Sequence, residues 1–377
     1  MHNDTGILKS EPLAEAADAC LTALPTPIFI LGIAPRSGTN YLHDLIRIHP
    51  QCESQSSLLE EDFLVANAPL LLRYAESVSR SWKAKWGDGE LQQEKHLLCE
   101  KIGEGLSSFL YAQLDRRNSS AQPGPRAERR RLVTKTPHVT NLELFFELFP
   151  SAPLLILVRD GRSVVESTVK TFSKPYGYAA REWASSAEEI LAFKRRHPQA
   201  NYRMVRYEDL YQSVESELRR IFSFLGLDPD TYDYAAAVDL PVRGSSAVRA
   251  QTPNSGRDFW VTEGVHWNPT PKPAGFNPLV RWRDWNRAKH ERFNWIAGRY
   301  MSAFDYSCQQ YAGPRMLWSS WNVACDVLQV DGLLWLWRRG KRRIRRIHNA
   351  SELFATIKDV GRKIWESVLL SRLQKSA

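Results

Sequence analysis

Short apolar runs alternate along this chain with longer stretches in which apolar residues recur three and four apart. Pro27-Ile-Phe-Ile-Leu-Gly-Ile-Ala34 is a continuous apolar run, the pattern of a strand covered on both faces. It ends at Pro35-Arg-Ser-Gly-Thr39, and Tyr41, Leu42, Leu45, Ile46 and Ile48 follow at helical spacing until His49-Pro50 stops them. Residues 58–115 read as helical, whereas Asn118 to Arg131, with two Pro, a Gly and four Arg, reads as a surface loop. Leu132-Val-Thr134, Leu154-Leu-Ile-Leu-Val158 and Tyr202-Arg-Met-Val-Arg206 are further strand candidates. Thr140 and Glu143 have the spacing of a capping box ahead of Leu142–Phe149. Arg159-Asp-Gly-Arg162 turns from a buried strand into another helix, and Ser213 opens a helix closed by Gly226. Residues 230–275 read as loop-rich, and helical spacing returns over 276–306.

Strands alternating with helices predict an α/β fold: a P-loop-like, three-layer arrangement with a central, mostly parallel sheet flanked by helices. A helical C-terminal extension follows. The expected division is a polar lead-in over 1–25, one domain over 26–310 and a basic, Trp-rich extension over 311–377. Ligands of such folds bind beyond the carboxyl ends of the strands, which is where both the Pro35–Thr39 and the Arg159–Arg162 turns fall.

The net charge of +9 points to an anionic partner, but seven Lys or Arg crowd into Arg338 to Arg346, so part of the excess belongs to the extension. Without a nucleic-acid-binding motif beside them, these residues do not argue for DNA or RNA. The five cysteines are scattered without a CxxC and the histidines form no HExxH, so neither a disulfide framework nor a metal site is expected. Nothing in residues 1–25 has a signal-peptide pattern and no apolar run is long enough to span a bilayer, which predicts a cytoplasmic protein.

The first turn, Gly32-Ile-Ala-Pro-Arg-Ser-Gly-Thr39, departs from the ATP-type loop: Thr39 stands where that loop has Lys, and the cation, Arg36, lies two residues before Gly38. Backbone N–H groups at a helix start still make an anion nest. Arg36 adds a bidentate donor, and Ser37, Thr39 and Asn40 add side-chain donors. This is chemistry for phosphate or sulfate without the metal apparatus of an ATPase. In the second turn Arg159 leaves the strand end and Ser167 lies eight residues on, two turns into the next helix. The pair could clasp one compact dianion, or the turn could be a plain salt-bridged corner.

In combination these segments resemble the PAPS-dependent sulfotransferases (PAPS, 3′-phosphoadenosine 5′-phosphosulfate), and most closely their tyrosylprotein-sulfotransferase-like branch. The linked pieces are PRSGT with His49-Pro50 behind it, Lys135-Thr-Pro137, Leu148-Phe-Pro150, Leu157-Val-Arg-Asp-Gly-Arg162, Val205-Arg-Tyr-Glu-Asp-Leu210 and Phe222-Ser-Phe-Leu-Gly226. The resemblance implies in-line transfer of the sulfuryl group of PAPS to an acceptor hydroxyl on a small molecule, lipid, sugar or peptide, with PAP released and no metal required. It implies that Arg36, Ser37, Gly38, Thr39 and Asn40 hold the 5′-phosphosulfate, and that Arg159 and Ser167 hold the 3′-phosphate. Lys135 would stabilise the bridging oxygen. The branch's Glu-Glu pair matches Glu60-Glu61, four residues further from His49-Pro50 than usual. Glu61 is the preferred base, then Glu60, with Glu53, Asp62 and His138 as rivals. Ser245 and Arg281 match later donor contacts, Arg281 standing in place of Lys. The alternative is a P-loop kinase or other nucleotide-binding phosphotransferase, against which the missing Lys counts. Leu333-Leu-Trp-Leu-Trp337 and the basic run after it lie outside the resemblance and are expected either to pack on the core or to make peripheral membrane contact.

Overall fold

The computed structural model describes residues 24–54, 61–82, 88–117, 130–244, 269–272 and 276–328. Five strands form one sheet: β1 (Ile28–Gly32), β2 (Cys52–Ser54), β3 (Arg131–Thr136), β4 (Leu154–Val158) and β5 (Tyr202–Arg206). Their order is β2-β3-β1-β4-β5 and every pairing is parallel. The described α-helices, in chain order, are α1 (Thr39–Ile46), α2 (Ala68–Ser79), α3 (Asp88–Arg117), α4 (Phe145–Leu148), α5 (Gly161–Phe172), α6 (Tyr176–Arg196), α7 (Tyr207–Gln212), α8 (Val214–Leu225), α9 (Tyr234–Val238), α10 (Arg287–Met301) and α11 (Arg315–Val327). The described residues fall into two compact units. The first draws on Met1–Arg159, Ser186–Gly244 and Trp267–Ala274; the second draws on Asp160–Ser185, Ser245–His266 and Gly275–Ala377.

The first unit holds the sheet. Every side chain of β1 and β4 is buried, and because successive side chains of a strand point to opposite faces, both faces of the sheet centre are covered. Each such Ile, Leu or Phe contributes about 1.5–3 kcal/mol of burial. Phe29 meets Phe145 edge-on at 5.2 Å and Phe149 at 4.6 Å, so β1 and the α4 region share one aromatic cluster. Helix α3 runs against the end of α4 so closely that a Cβ on Gly103 would stand 1.7 Å from the Leu148 carbonyl oxygen.

Three local expectations change. The described part of the span 58–115 forms two helices, α2 and α3, preceded at 61–67 by irregular chain and a short 3-10 turn. The capping box is not formed: Asn141, at φ 64°, precedes a 3-10 turn that has no side-chain cap. Glu143 instead pairs with Arg196 at 2.7 Å and His197 at 3.1 Å, and the Leu142 N–H donates to Glu189 Oε1 at 3.0 Å. Ion-pair partners fifty residues away outcompete a local hydrogen bond that propensity alone favours. Strand β2 has no counterpart in the hydropathy pattern, since Cys-Glu-Ser is too short to show alternation. The helix opened at Ser213 does end at Gly226, which takes the left-handed conformation (φ 67°) there.

The second unit is built on α5, the first turns of α6, α10 and α11. A Cβ on Gly161 would come within 2.8 Å of the Trp183 and Phe293 rings, so only glycine lets α5 start against them. Asp160 caps α5 by accepting from the Arg162 N–H at 2.8 Å and takes the Arg162 guanidinium in a fork at 3.0 and 2.7 Å. The same guanidinium lies 3.8 Å from the Trp282 ring centroid. Asp326 ties α11 to α10 by accepting from Arg292 at 2.5 Å and from Trp295 Nε1 at 2.9 Å.

His290, on α10, is buried between the edges of Trp282 and Trp285. Burial pushes its pKa below the usual histidine value; the nearby Arg162 lowers it further, while Asp160 opposes both. His43, on α1 in the first unit, is likewise lowered, by burial first, against the pull of Asp44. A histidine whose folded pKa is depressed binds fewer protons than the unfolded chain below about pH 6.5, so stability falls as pH drops from there, by at most about 1.4 kcal/mol per pH unit for each group. Thermal unfolding between pH 7 and pH 5 should therefore show a falling melting temperature. His290→Phe, which suits the aromatic cage, should flatten that slope. An unchanged slope in the variant would remove His290 as a cause.

Candidate functional site

The carboxyl ends of β1, β3 and β4 lie side by side at one edge of the sheet. The chain leaves β1 towards β2 and β3 on one side and continues from β4 to β5 on the other, so the strand order reverses at β1–β4. A crevice is expected at that point. The loop Pro35–Gly38 closes β1 there. Two residues take left-handed backbone, Arg36 at φ 77° and Gly38 at φ 102°. The turn is held by the Ser37 N–H donating to the Ala34 carbonyl at 3.1 Å. Gly38 is the N-cap of α1, and no side chain caps that helix, which keeps its first N–H groups aimed into the crevice.

Ser37 is fully buried, and its Oγ has no hydrogen-bond partner among the described residues; the same holds for Asn40 Oδ1. A buried hydroxyl without a partner costs about 1–3 kcal/mol. A Cβ on Gly32 would stand 2.4 Å from Ser37 Oγ and 2.7 Å from Thr39 Cγ2, so only glycine lets the loop fold back on the end of β1. These residues fit a compact tetrahedral anion that would satisfy the Ser37 hydroxyl. Arg36 donates from its guanidinium to the Gly244 carbonyl. Its own carbonyl accepts from Arg159 at 3.0 Å, which joins the end of β4 to the loop after β1.

Beside the loop, Lys135 lies on β3 with 2% of its side chain exposed, and its Nζ is 3.6 Å from Glu61 Oε1. The neighbouring Asp62 sets this meeting. Its carboxylate accepts from the Thr134 hydroxyl at 2.6 Å and the Thr136 hydroxyl at 3.1 Å, and its N–H donates to the Lys135 carbonyl at 3.2 Å. The Phe63 N–H donates to Thr136 Oγ1 at 3.1 Å. The chain at 61–63 is thus pinned along the end of β3, and Asp62, a rival for the base, is committed to structure. His138 is half-buried with its ring 5.5 Å from that of Phe63, and Glu53 sits on the edge strand β2.

Tyr207 forms the wall opposite Gly38. Its ring edge would be 2.5 Å from a Cβ placed on Gly38, and Arg159 stacks on it with the guanidinium carbon 4.1 Å from the ring centroid. Tyr211 lies parallel to the Tyr207 ring at 6.1 Å, and Tyr41 meets it edge-on at 5.8 Å. One aromatic ring therefore keeps both the cation at the end of β4 and the glycine of the loop in place.

Residues 27–231, more than half of the chain, match the sulfotransferase family. The chain belongs to that family. It is 25% identical over 215 residues to protein-tyrosine sulfotransferase A of Caenorhabditis elegans, covering 54% of this chain and 51% of the relative. It is 26% identical over 236 residues to the nodulation protein NoeE of Sinorhizobium fredii, covering 55% and 52%. The chain thus spans about half the length of these relatives. A solved sulfotransferase domain from the curacin biosynthetic pathway aligns at 19% identity over 76% of this chain and 100% of that one, with a TM-score of 0.41.

Within the sulfotransferase chain, the first unit brings Arg36, Ser37, Gly38, Thr39, Asn40, Lys135, His138, Glu61 and Arg159 to the ends of β1, β3 and β4. Ser167 is buried in the second turn of α5 and Arg281 lies in the turn before α10, both in the second unit. Glu60 and Ser245 lie outside the described residues, as do the extension beyond Leu328 and most of the 250–275 insertion. Sequence reasoning missed Asp62 as the pin for Glu61, and Tyr207 as the wall. Tyr207 stands inside the Val205–Leu210 segment that carries the family pattern, which is a signal that could have found it. Nothing local marks Asp62, whose partners are 72 and 74 residues away. Among the described residues no group of three His, Cys, Asp or Glu is placed to hold a metal ion, and no helix is long and apolar enough to cross a membrane.

Proposed function

We propose that this chain transfers the sulfuryl group of PAPS, in line, to a hydroxyl of its acceptor and releases PAP. The observation that carries the reading is the cradle at the end of β1: a fully buried Ser37 hydroxyl, without a hydrogen-bond partner among the described residues, between Arg36 and the start of α1. The family match over residues 27–231 and the relatives named protein-tyrosine sulfotransferase support the same donor chemistry. Tyrosyl hydroxyls are accordingly the first acceptors to try, with small alcohols, lipids and sugars alongside.

Sulfuryl transfer leaves little covalent work for the protein, so positioning and charge stabilisation carry the catalysis. Arg36, Ser37, Thr39, Asn40 and the first amides of α1 bind the phosphosulfate oxygens. The family resemblance assigns Arg159 and Ser167 to the 3′-phosphate, and Ser245 and Arg281 to further contacts with the donor. Lys135 stabilises the bridging oxygen as it gains charge. Glu61 accepts the proton of the attacking hydroxyl. The Lys135–Glu61 contact links these two events: as Glu61 takes up a proton it ceases to neutralise Lys135, whose full charge then falls on the leaving oxygen.

Titration calorimetry with PAP and with ATP tests the reading. PAP should bind without added metal, and Ser37→Ala should weaken it by about tenfold to a hundredfold, the worth of one hydrogen bond to a charged group. Binding of ATP with no binding of PAP would return the chain to the phosphotransferase alternative.

A further inference from the structure

The reach of Arg36 depends on a segment far away in the sequence. Val242 and Thr270 exchange two backbone hydrogen bonds, at 2.7 and 3.0 Å. Next to that bridge Arg243 lays its guanidinium as a fork on Asp44, with Nε 2.6 Å from Oδ2 and NH2 2.7 Å from Oδ1. Asp44 is on α1, five residues after Thr39, and is 7% exposed. Arg47 Nε at 3.2 Å and His43 Nδ1 at 3.4 Å complete its surroundings. Gly244, at φ 65°, then presents the carbonyl that accepts from the Arg36 guanidinium. Contacts thus run from α1 through Asp44, Arg243 and Gly244 back to the loop that opens α1.

We propose that Asp44 and Arg243 are a positioning pair for the donor site. Their fork fixes Val242–Gly244 against α1, so that the Gly244 carbonyl sets where the Arg36 guanidinium lies. The inference rests on the reading of Arg36 as the phosphosulfate cation. Its physical basis is that a bidentate Arg–carboxylate pair fixes orientation as well as distance. Both ends of the relay are referred to one rigid helix, α1. A guanidinium carries five N–H donors, so the bond to Gly244 does not by itself exhaust those of Arg36. An aspartate needed only for the fold would not require its partner to lie next to the carbonyl that holds the loop cation.

A double-mutant cycle read by PAP calorimetry decides it. Arg243→Ala should weaken PAP by about tenfold or more, the low end of the worth of one hydrogen bond to a charged group. In an Arg36→Ala background the same change should add no more than about twofold, because the pair acts through Arg36. Arg243→Lys, which keeps the charge and loses the fork, should resemble Arg243→Ala. As a control for general destabilisation, Glu217→Ala, which breaks the pair between Arg203 on β5 and Glu217 on α8, should leave PAP affinity at the wild-type value. Equal weakening by Arg243→Ala with and without Arg36, or none at all, overturns the proposal. If wild-type protein binds no PAP, the donor reading falls instead, and amide exchange at Val242 judges the clamp alone. Faster exchange in Asp44→Asn supports the clamp, and unchanged exchange overturns it.

Discussion

Lys135→Met is expected to lower kcat by about two to three orders of magnitude, the usual cost of removing a group aimed at charge that develops in the transition state. Methionine keeps an unbranched apolar stem in the buried position on β3, so folding should survive while the ammonium is lost. PAP affinity should change far less than kcat, since the contribution is made mainly in the transition state. Glu61→Gln should lower kcat by about a hundredfold or more if Glu61 receives the acceptor's proton. Because Lys135 Nζ and Glu61 Oε1 are 3.6 Å apart, the two losses should not add: the double variant should be scarcely slower than the worse single one. The measurement is steady-state transfer from labelled PAPS with the acceptor in excess. Fully additive losses would mean that the two groups act independently, and a Lys135→Met enzyme with wild-type kcat would remove Lys135 from the chemistry.

Gly38→Ala should be the most damaging change in the donor loop. Two penalties coincide there. Backbone at φ 102° costs a residue with a Cβ about 1–2 kcal/mol. The new methyl would also stand 2.5 Å from the Tyr207 ring, and overpacking of this kind costs about 1–3 kcal/mol. The ring cannot simply turn aside, because Arg159 stacks on it and Tyr211 lies parallel to it. The expected result is a clearly lower melting temperature and loss of measurable PAP binding. Adding Tyr207→Ala relieves the clash but not the strain, so the double variant should regain part of its stability without wild-type affinity. A Gly38→Ala protein with unaltered melting and PAP binding would refute both the loop geometry and its role.

The strands and the loop proposed to hold the donor were legible because their determinants are local. The continuous apolar runs of Ile28–Gly32 and Leu154–Val158 mark strands buried on both faces, and a small-residue turn with one cation marks an anion-binding corner, whatever surrounds it. The Arg159–Arg162 turn allowed two readings, and the salt bridge that one of them expects is formed. Asp160 and Arg162 pair with each other in the second unit, and in the first unit Arg159 donates to the Arg36 carbonyl and stacks on the Tyr207 ring. Choices among like residues were not legible. Glu53, Glu61 and Asp62 are interchangeable to any rule of spacing or charge. They separate only when two threonine hydroxyls on β3 take the Asp62 carboxylate and leave Glu61 beside Lys135.

The sequence by itself determined the α/β class, the strands at the sheet centre and the loop that suits an oxyanion, because hydrophobic period and turn chemistry act over a few residues. Only the tertiary structure decided which carboxylate meets Lys135, that Tyr207 limits Gly38, and that Arg243 reaches Asp44 across 199 residues. Such meetings depend on the register of the parallel strands and on how long side chains share a few hydrogen-bond donors. Neither is encoded within any one segment.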